Sequence, residues 1–510
     1  MTTAMTSGAS PGGDSAHLPA GRHVVVTQSI STTMTGMTHA FLNRTIALIE
    51  HFDIDVEILL LDQRRDLATT VAWLESRGLT HPRMTFTSLW DDVADGDIDL
   101  SAAFGPRSWR RDLLMIDVRH RVGKVRRAPR SSAAWRGLFR TALTTISSAK
   151  RPLARGEVKK LGRRTLPQPH LLAVSDAAGR HLGVTQGWWS LWSTWLTQRL
   201  AQGEPVHLIC DNWHVVDLLT QWGLPHVATT YVVHSDHIGS RTGDLHGEGW
   251  TQGRGFALQR AAALDACVFL TDQQRERFVA DHGDPGNLHV VPNSIALPDA
   301  PRGDRDPRRG VAMTRLVAIK RPKHAVQALR MIADPTVEFD LFGGTEHRDQ
   351  WDDLVELIGE DDRIRLCGRT DDPIGEFAKA SFTLVTSTSE GFGLSIIEAM
   401  SVGCIPICYD IRYGPGELIT HGVDGFVVAP EPAALAAAIE QFLALPEDAV
   451  ATMRAAARAR AADFSHAAVV RRWPAVLTAA ARRRQQRDAP APDRESLFEV
   501  EVAARRWHAS

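Results

Sequence analysis

Short apolar runs alternate with amphipathic helical stretches along most of this chain of 510 residues, and the alternation limits the folds open to it. The first half begins with a strand in "RHVVVTQ", a Ser/Thr/Gly loop, a helix in "THAFLNRTIALIEHF" and a second strand in "VEILLLD". Further strands are expected in "HLLAVSD", "PVHLICD", "HVATTYVVH", "DACVFLT" and "NLHVVP". Continuous apolar strands separated by helices are typical of a parallel sheet covered on both faces.

The same alternation returns in the second half, with strands in "GVAMTRLVAI", "VEFDLFG", "RIRLCG", "SFTLVTS", "IPICYD" and "GFVVAP". The sequence therefore predicts two Rossmann-like α/β domains in tandem, facing each other across a cleft. Ligands of such sheets bind at the carboxyl ends of the strands, so we expect the cleft to hold the active site.

Domain boundaries are expected where Pro, Gly and charged residues accumulate, above all in "LPDAPRGDRDPRRG". In chain order we expect a disordered leader at 1–20, a first domain at 21–300, a linker at 301–310, a second domain at 311–465, a helix at 466–484 that returns to the first domain, and a flexible tail at 485–510.

The overall composition is that of a soluble globular protein, with 44% hydrophobic and 23% charged residues. The leader has no basic stretch followed by an apolar one, and no run approaches 18 apolar residues, which argues against a secretory signal and a spanning helix. Five cysteines without a CxxC pair indicate reduced, mostly buried thiols. We therefore expect a cytoplasmic protein.

A strongly basic insertion is expected in the first domain, at about 105–165. Between residues 107 and 164 there are 18 Lys or Arg against three acidic residues, whereas the whole chain carries a net charge of −2. A solvated surface is one interpretation, and attraction to an anionic membrane, a phosphate-rich polymer or nucleic acid is the other.

The stretch "SFTLVTSTSEGFGLSIIEAM" joins a strand to a helix through a glycine turn. Helix N-termini offer free backbone N–H groups and a positive dipole end, which suit a phosphate. Glu390 lies before the turn, and Glu398 is expected in the first turn or so of a helix that begins around Leu394 or Ser395. Two such glutamates could bind hydroxyls beside the phosphates of a sugar nucleotide; alternatively Glu398 forms a capping box with Ser395, or Glu390 is a solvated loop acid.

Two cations follow the first strand of the second domain in "TRLVAIKR". We expect Arg315 to end that strand and Lys320 to lie five residues later, at the same edge of the sheet as the glycine turn. Together they could neutralise a diphosphate, because arginine offers a planar fork of donors and lysine a compact charge.

These motifs, with "VVPNSI" and "LFGG", resemble the retaining GT-B glycosyltransferases of family 4 over residues 225–475. The run "CYDIRYGPGELITHGVDGFVV" is similar to the subgroup of poly(glycerol-phosphate) and poly(ribitol-phosphate) α-glycosyltransferases and their protein O-glycosylating relatives. That subgroup usually carries an inserted β-rich segment, whereas residues 100–200 here show no clear strand alternation. The tryptophan-rich run "GWWSLWSTWL" is expected to form a buried helix face or, alternatively, a platform for a sugar.

The resemblance implies a role for each matching residue. In the donor site, Arg315 and Lys320 would bind the diphosphate and Glu390 the sugar hydroxyls, while His234 in "VVHSDH" would face the transferred sugar. The remaining donor contacts would come from the diphosphate loop at Gly36, the nucleobase segment at Gly368 and Arg369, the turn Phe392, Gly393 and Leu394, and the ribose ligand Glu398. The alternative to this role for His234 is an H-x-x-H metal site formed with His237, but we expect no metal and no other cofactor.

The resemblance also implies the reaction and its partners. The donor would be UDP-glucose or UDP-N-acetylglucosamine, and the acceptor a hydroxyl of a polyanionic cell-envelope polymer, such as a teichoic acid, or of a lipid-linked glycan. Association with the inner face of an anionic membrane and a homo-oligomer are further expectations. Three alternatives stay open: a non-catalytic GT-B partner subunit that recognises the acceptor, a transferase acting on protein Ser or Thr, and a nucleic-acid-binding protein.

Overall fold

Two parallel α/β sheets form the framework of the chain. The computed structural model describes residues 17–30, 35–62, 67–96, 98–104, 171–175, 181–237, 258–298, 304–345, 348–488 and 501. The basic insertion at 105–165 lies wholly outside these residues, as does most of the leader. Of the helices that are described, none combines the length and apolar character needed to cross a membrane.

The first sheet has the strand order β3-β2-β1-β6-β7-β8-β9, and the strand pairs for which the register is described are parallel. Its strands are β1 (Arg22–Thr27), β2 (Val56–Leu60), β3 (Met84–Ser88), β6 (Val206–Cys210), β7 (Val227–Val233), β8 (Ala266–Phe269) and β9 (Leu288–Val290). The helices of this half are Gly36–Phe52, Leu67–Glu75, Leu89–Asp95, Trp189–Arg199, Trp213–Leu219 and Asp272–His282.

The second sheet has the order β12-β11-β10-β13-β14-β15 and is parallel throughout. Its strands are β10 (Asp306–Met313), β11 (Glu338–Phe342), β12 (Ile364–Gly368), β13 (Ala380–Val385), β14 (Ile405–Tyr409) and β15 (Phe426–Val428). The helices are Pro322–Met331, Arg348–Ile358, Pro373–Lys379, Leu394–Ser401, Pro415–Leu418, Pro432–Leu443 and Glu447–Ala462, followed by His466–Val470 and Trp473–Gln485. Both sheets thus begin with the doubly wound order 3-2-1-4-5-6, and the predicted Rossmann-like class is confirmed.

Several elements differ from the sequence prediction. Residues 306–310, which we assigned to a linker, form the first half of β10. The run "HLLAVSD" does not join the large sheet: its strand β4 (Leu171–Ser175) pairs antiparallel with β5 (His181–Gln186). Strands β3 and β5 were not predicted. Strand β3, with the sequence MTFTS, is half polar and lacks the continuous apolar run that identified the other strands.

The tryptophan-rich run forms a helix with its rings inside. Trp189, Trp192 and Trp195 are all buried, and the indole N–H of Trp195 donates to the carboxylate of Asp92 at 2.7 Å. The carboxylate of Glu501 accepts the backbone N–H groups of Trp188 and Trp189 at 3.1 and 3.0 Å. The interpretation as a buried helix face is confirmed, and Glu501, inside the expected flexible tail, is held in this packing.

The chain groups into two compact units. One comprises Met1–Pro19, Thr35–Ile54 and Thr230–Ala480, and the other comprises Ala20–Met34, Asp55–Thr229 and Ala481–Ser510. All candidate site residues fall within the first unit. Four of the five cysteines are buried and Cys367 is exposed, and all five are free thiols.

Candidate active site

The site is built around the carboxyl ends of β10 and β13, which are neighbours in the second sheet. Strand order reverses between them, because β11 and β12 lie on one side and β14 and β15 on the other. Loops diverge at such a point and leave a crevice in which doubly wound folds bind ligands. Lys320 follows β10 and Glu390 follows β13, so the fold itself brings these two segments together.

Lys320 and Glu390 form a direct ion pair in this crevice. Lysine Nζ lies 2.5 Å from Glu390 Oε1, and the two side chains are 19% and 15% exposed. The hydroxyl of Ser387 donates to the same oxygen at 2.6 Å. The backbone N–H of Glu390 donates to the carbonyl of Arg412 at 2.8 Å, which anchors the loop. Lysine has three donors, so Lys320 can keep this pair and still contact a phosphate.

The two glycines of the predicted turn have different structural roles. Gly391 lies against the chain at His234, and a Cβ on Gly391 would lie 2.1 Å from the His234 carbonyl oxygen. Gly393 has φ of 101°, in the left-handed region that glycine tolerates, and it is the N-cap of the helix Leu394–Ser401. As a glycine, Gly393 makes no side-chain cap hydrogen bond. Helix N-termini are suited to anions, and phosphate binding at this one stays a prediction.

The helix begins at Leu394, as expected, and Glu398 is its fifth residue. The alternative interpretation, a capping box between Ser395 and Glu398, does not apply, since the N-cap is Gly393. The Glu398 side chain is half-buried, and burial raises the pKa of its carboxyl to about 7, with no charged or hydrogen-bonding neighbour among the described residues contributing. A carboxyl in this state has its hydrogen-bonding capacity available for ligand hydroxyls.

Arg315 and Gly36 are both open to solvent. We had predicted that Arg315 ends the first strand of the second domain, but β10 ends at Met313, so Arg315 lies in the loop after it. Gly36 is the first residue of the helix Gly36–Phe52, and a Cβ there would meet nothing within 4 Å. Each residue has the accessibility that contact with a diphosphate requires.

The predicted nucleobase segment lies at the end of β12. Gly368 has φ of 71°, and its carbonyl accepts the backbone N–H of Gly343 at 2.6 Å. The exposed side chain of Arg369 packs against Gly344, where a Cβ would lie 2.6 Å from its Nε.

The two histidines of "VVHSDH" differ in environment. His234 is half-buried, next to the glycine turn. His237 is fully buried, stacked on Tyr413 with ring centroids 5.9 Å apart and edge-on to Phe269 and Phe278. Burial lowers the pKa of His237 to about 4.

The alternative hypothesis of a metal site at His234 and His237 requires further ligands, and the described part of the chain does not supply them. There, no group of three or more His, Cys, Asp or Glu side chains is arranged to hold a metal ion. The aromatic packing of His237 accounts for its position in the fold.

The stretch Tyr409–Glu417, which in the sequence showed only a resemblance to a family, makes two sets of tertiary contacts in the structure. Tyr413 stacks on His237, and the carboxylate of Glu417 accepts the backbone N–H groups of Asp272 and Gln273 at 2.9 and 2.8 Å. Glu417 thus caps the helix Asp272–His282. No local pattern identifies this cap, because its partners are 144 and 145 residues away in sequence.

Comparison with solved structures defines the class of fold. The S. aureus TarM complex with Fondaparinux, alpha-GlcNAc-glycerol and UDP superposes with a TM-score of 0.67 at 15% identity, over 90% of this chain and 100% of that one. The pneumococcal O-GlcNAc transferase GtfA, in complex with UDP and GlcNAc, gives a TM-score of 0.63 at 14% identity, over 90% and 99% of the two chains. The two parallel-sheet domains are therefore those of the GT-B fold.

Sequence comparisons match parts of the chain. Residues 299–460 match the family described as "Glycosyl transferases group 1". The poly(glycerol-phosphate) alpha-glucosyltransferase of Bacillus subtilis is 32% identical over 202 residues, 39% of this chain and 29% of the relative. The exopolysaccharide phosphotransferase SCO2592 of Streptomyces coelicolor is 30% identical over 260 residues, 50% of this chain and 28% of the relative. The aligned part thus spans less than a third of either relative.

Proposed function

We propose that this protein is a retaining hexosyltransferase that moves glucose or N-acetylglucosamine from a UDP-sugar to a hydroxyl of an anionic cell-envelope polymer or glycolipid. The observation that carries the proposal is the Lys320–Glu390 pair, followed along the chain by the helix N-terminus at Gly393 and the Glu398 carboxyl on that helix. A cation, free N–H groups and two carboxylates are the complement of a sugar joined to a nucleoside diphosphate.

The role proposed for each residue follows from where negative charge develops during the reaction. As the glycosidic bond breaks, negative charge grows on the leaving diphosphate, and Arg315, Lys320 and the helix N-terminus would stabilise it without a metal ion. Glu390, held by Lys320 and Ser387, would bind the sugar hydroxyls, while Glu398 would bind the ribose. In a retaining reaction the leaving phosphate oxygen would accept the proton of the acceptor hydroxyl on the same face of the sugar.

The acceptor is proposed on two grounds. The B. subtilis relative is named for poly(glycerol-phosphate), and residues 107–164 carry an excess of positive charge that suits a polyanion. The likeness to a pneumococcal O-GlcNAc transferase makes a protein Ser or Thr hydroxyl the second candidate. The reaction is proposed to take place in the cytoplasm, where the same basic segment could also hold the enzyme at an anionic membrane.

The first experiment incubates the protein with a panel of nucleotide sugars in EDTA and measures donor hydrolysis and the shift in melting temperature. Wild type and Glu390→Ala are compared, with Lys323→Met as control because the exposed Lys323 pairs with Asp353 outside the crevice. Activity of wild type and control on one UDP-sugar supports the proposal. If no nucleotide sugar is hydrolysed or stabilises the protein, and adding poly(glycerol-phosphate) or Ser/Thr peptides does not change this, the proposal is contradicted. That result would favour a non-catalytic partner subunit.

A further inference from the structure

Arg321, directly after Lys320, has a backbone conformation that an arginine rarely adopts. Its φ of 43° and ψ of 51° lie in the left-handed region, at the point where the helix Pro322–Met331 begins. A side chain with a Cβ is unfavourable here, and such residues persist where the surrounding contacts require them. The contacts that retain Arg321 therefore indicate its role.

The guanidinium of Arg321 reaches the segment that follows β13. Its Nε donates to the carbonyl of Thr386 at 2.9 Å, and its Nη2 donates to the carbonyl of Ser387 at 2.7 Å. On its other side it lies over the ring of Tyr409, with Cζ 5.1 Å from the ring centroid. Two carbonyls and one aromatic face thus hold the planar group in one orientation.

Reciprocal hydrogen bonds join the same two segments. The hydroxyl of Thr386 lies 2.8 Å from the carbonyl oxygen of Lys320, to which it donates. The backbone N–H of Thr388 donates to the carbonyl of Ile319 at 2.8 Å. The turn that carries Lys320 is therefore tied to the segment that carries Ser387 and Glu390, and Arg321 supplies two of the bonds.

We propose that Arg321 is a positioning residue, which holds the Lys320 turn against the Ser387–Glu390 segment so that the ammonium and the carboxylate meet the donor in one fixed arrangement. The inference rests on the proposed function. It assigns Arg321 no contact with the substrate: the guanidinium acts through Lys320 and Glu390.

The test exploits the left-handed backbone. Glycine adopts φ of 43° without strain, so Arg321→Gly removes the guanidinium while favouring the native backbone. We expect kcat for donor hydrolysis to fall about 10- to 100-fold with KM changed less than about threefold, because the reacting groups lose alignment. Arg321→Lys retains charge but lacks the fork, and should recover only part of the rate.

Arg330→Ala is the matched control. Arg330 lies on the same helix, and its guanidinium also donates to a backbone carbonyl, that of Leu357 at 2.7 Å, away from the crevice. Wild-type kcat in this control is expected. Equal losses in the control and in Arg321→Gly would show a general effect on the helix and overturn the proposal.

Guanidinium chloride at concentrations far below those that unfold the protein provides the decisive measurement. Guanidinium ion should restore part of the kcat of Arg321→Gly, while sodium chloride at equal ionic strength should not. Wild-type kcat in Arg321→Gly, or a loss that guanidinium does not reverse, would refute the role.

Failure of the proposed function would be recognised separately. If wild type turns over no UDP-sugar, the role of Arg321 is tested by the rise in melting temperature that UDP alone causes. Weaker stabilisation in Arg321→Gly than in the control then supports the positioning role, and equal stabilisation refutes it.

Discussion

Replacing Lys320 with methionine tests whether its charge serves catalysis beyond its partnership with Glu390. Lys320 Nζ lies 2.5 Å from Glu390 Oε1, and both side chains are largely shielded from water. Methionine preserves much of the length of the lysine stem but leaves the carboxylate with the Ser387 hydroxyl as its remaining side-chain partner among the described residues. The change therefore removes one charge-assisted hydrogen bond and keeps the packing.

The expected magnitudes differ for stability and for catalysis. A hydrogen bond to a charged group contributes about 1.5–3 kcal/mol, so Lys320→Met should lower the free energy of unfolding by about that amount. In a domain of this size the melting temperature should fall by roughly 4–10 °C. Loss of a group that stabilises developing charge should lower kcat about 10²- to 10³-fold, with KM for the UDP-sugar changed much less.

A double variant separates the two effects. Lys320→Met combined with Glu390→Gln removes both charges, so the melting temperature should recover most of its loss, because no buried carboxylate is left without its cation. The kcat should stay low in the double variant. Differential scanning fluorimetry and initial-rate kinetics measure both quantities, with Lys323→Met as the surface control. An effect of Lys320→Met confined to KM, or recovery of kcat in the double variant, would refute the assignment.

Three further predictions concern the rest of the site. Gly391→Ala should destabilise the protein by about 1–3 kcal/mol, because its Cβ would meet the carbonyl of His234, whereas Gly36→Ala should leave the melting temperature unchanged and raise KM for the donor. An equal loss of stability in both would contradict the packing seen here. The pKa of Glu398 is about 7 in the folded state, above its usual 4.5. Between these two pH values the unfolded state therefore binds fewer protons than the folded state, and the free energy of unfolding should fall as pH rises from 4.5 to 7. Melting temperatures of Glu398→Gln against pH should lack this contribution, and an unchanged slope would disprove it. Glu417→Gln should cost about 1 kcal/mol in denaturant unfolding through the weakened helix cap, without altering KM; an unchanged midpoint would count against the cap.

Local sequence patterns were sufficient for most strands of the two large sheets. Continuous apolar runs identify buried parallel strands, because a strand covered on both faces has few positions for polar residues. The turn at Gly393 was also predictable, since a left-handed residue before a helix is most often glycine. Lys320 and Glu390 could be placed together because both follow strands of one parallel sheet, whose carboxyl ends share an edge.

Other local predictions failed by a few residues. Arg315 was placed at the end of β10 but lies beyond it, and residues 306–310 were assigned to a linker but form the start of β10. Both boundaries depend on backbone hydrogen bonds that the pattern of apolar residues does not specify.

Tertiary structure alone decided the interactions that join distant segments. The guanidinium of Arg321 finds carbonyl partners 65 and 66 residues away, and Glu417 caps a helix 145 residues before it. The burial of His237 likewise depends on Tyr413, which reaches it from another part of the fold. Backbone carbonyls and N–H groups occur at almost every residue, so the amino-acid sequence does not mark which of them a side chain will meet. Hydrophobic periodicity is a local property and determined the sheets, whereas these partners depend on the path of the whole chain.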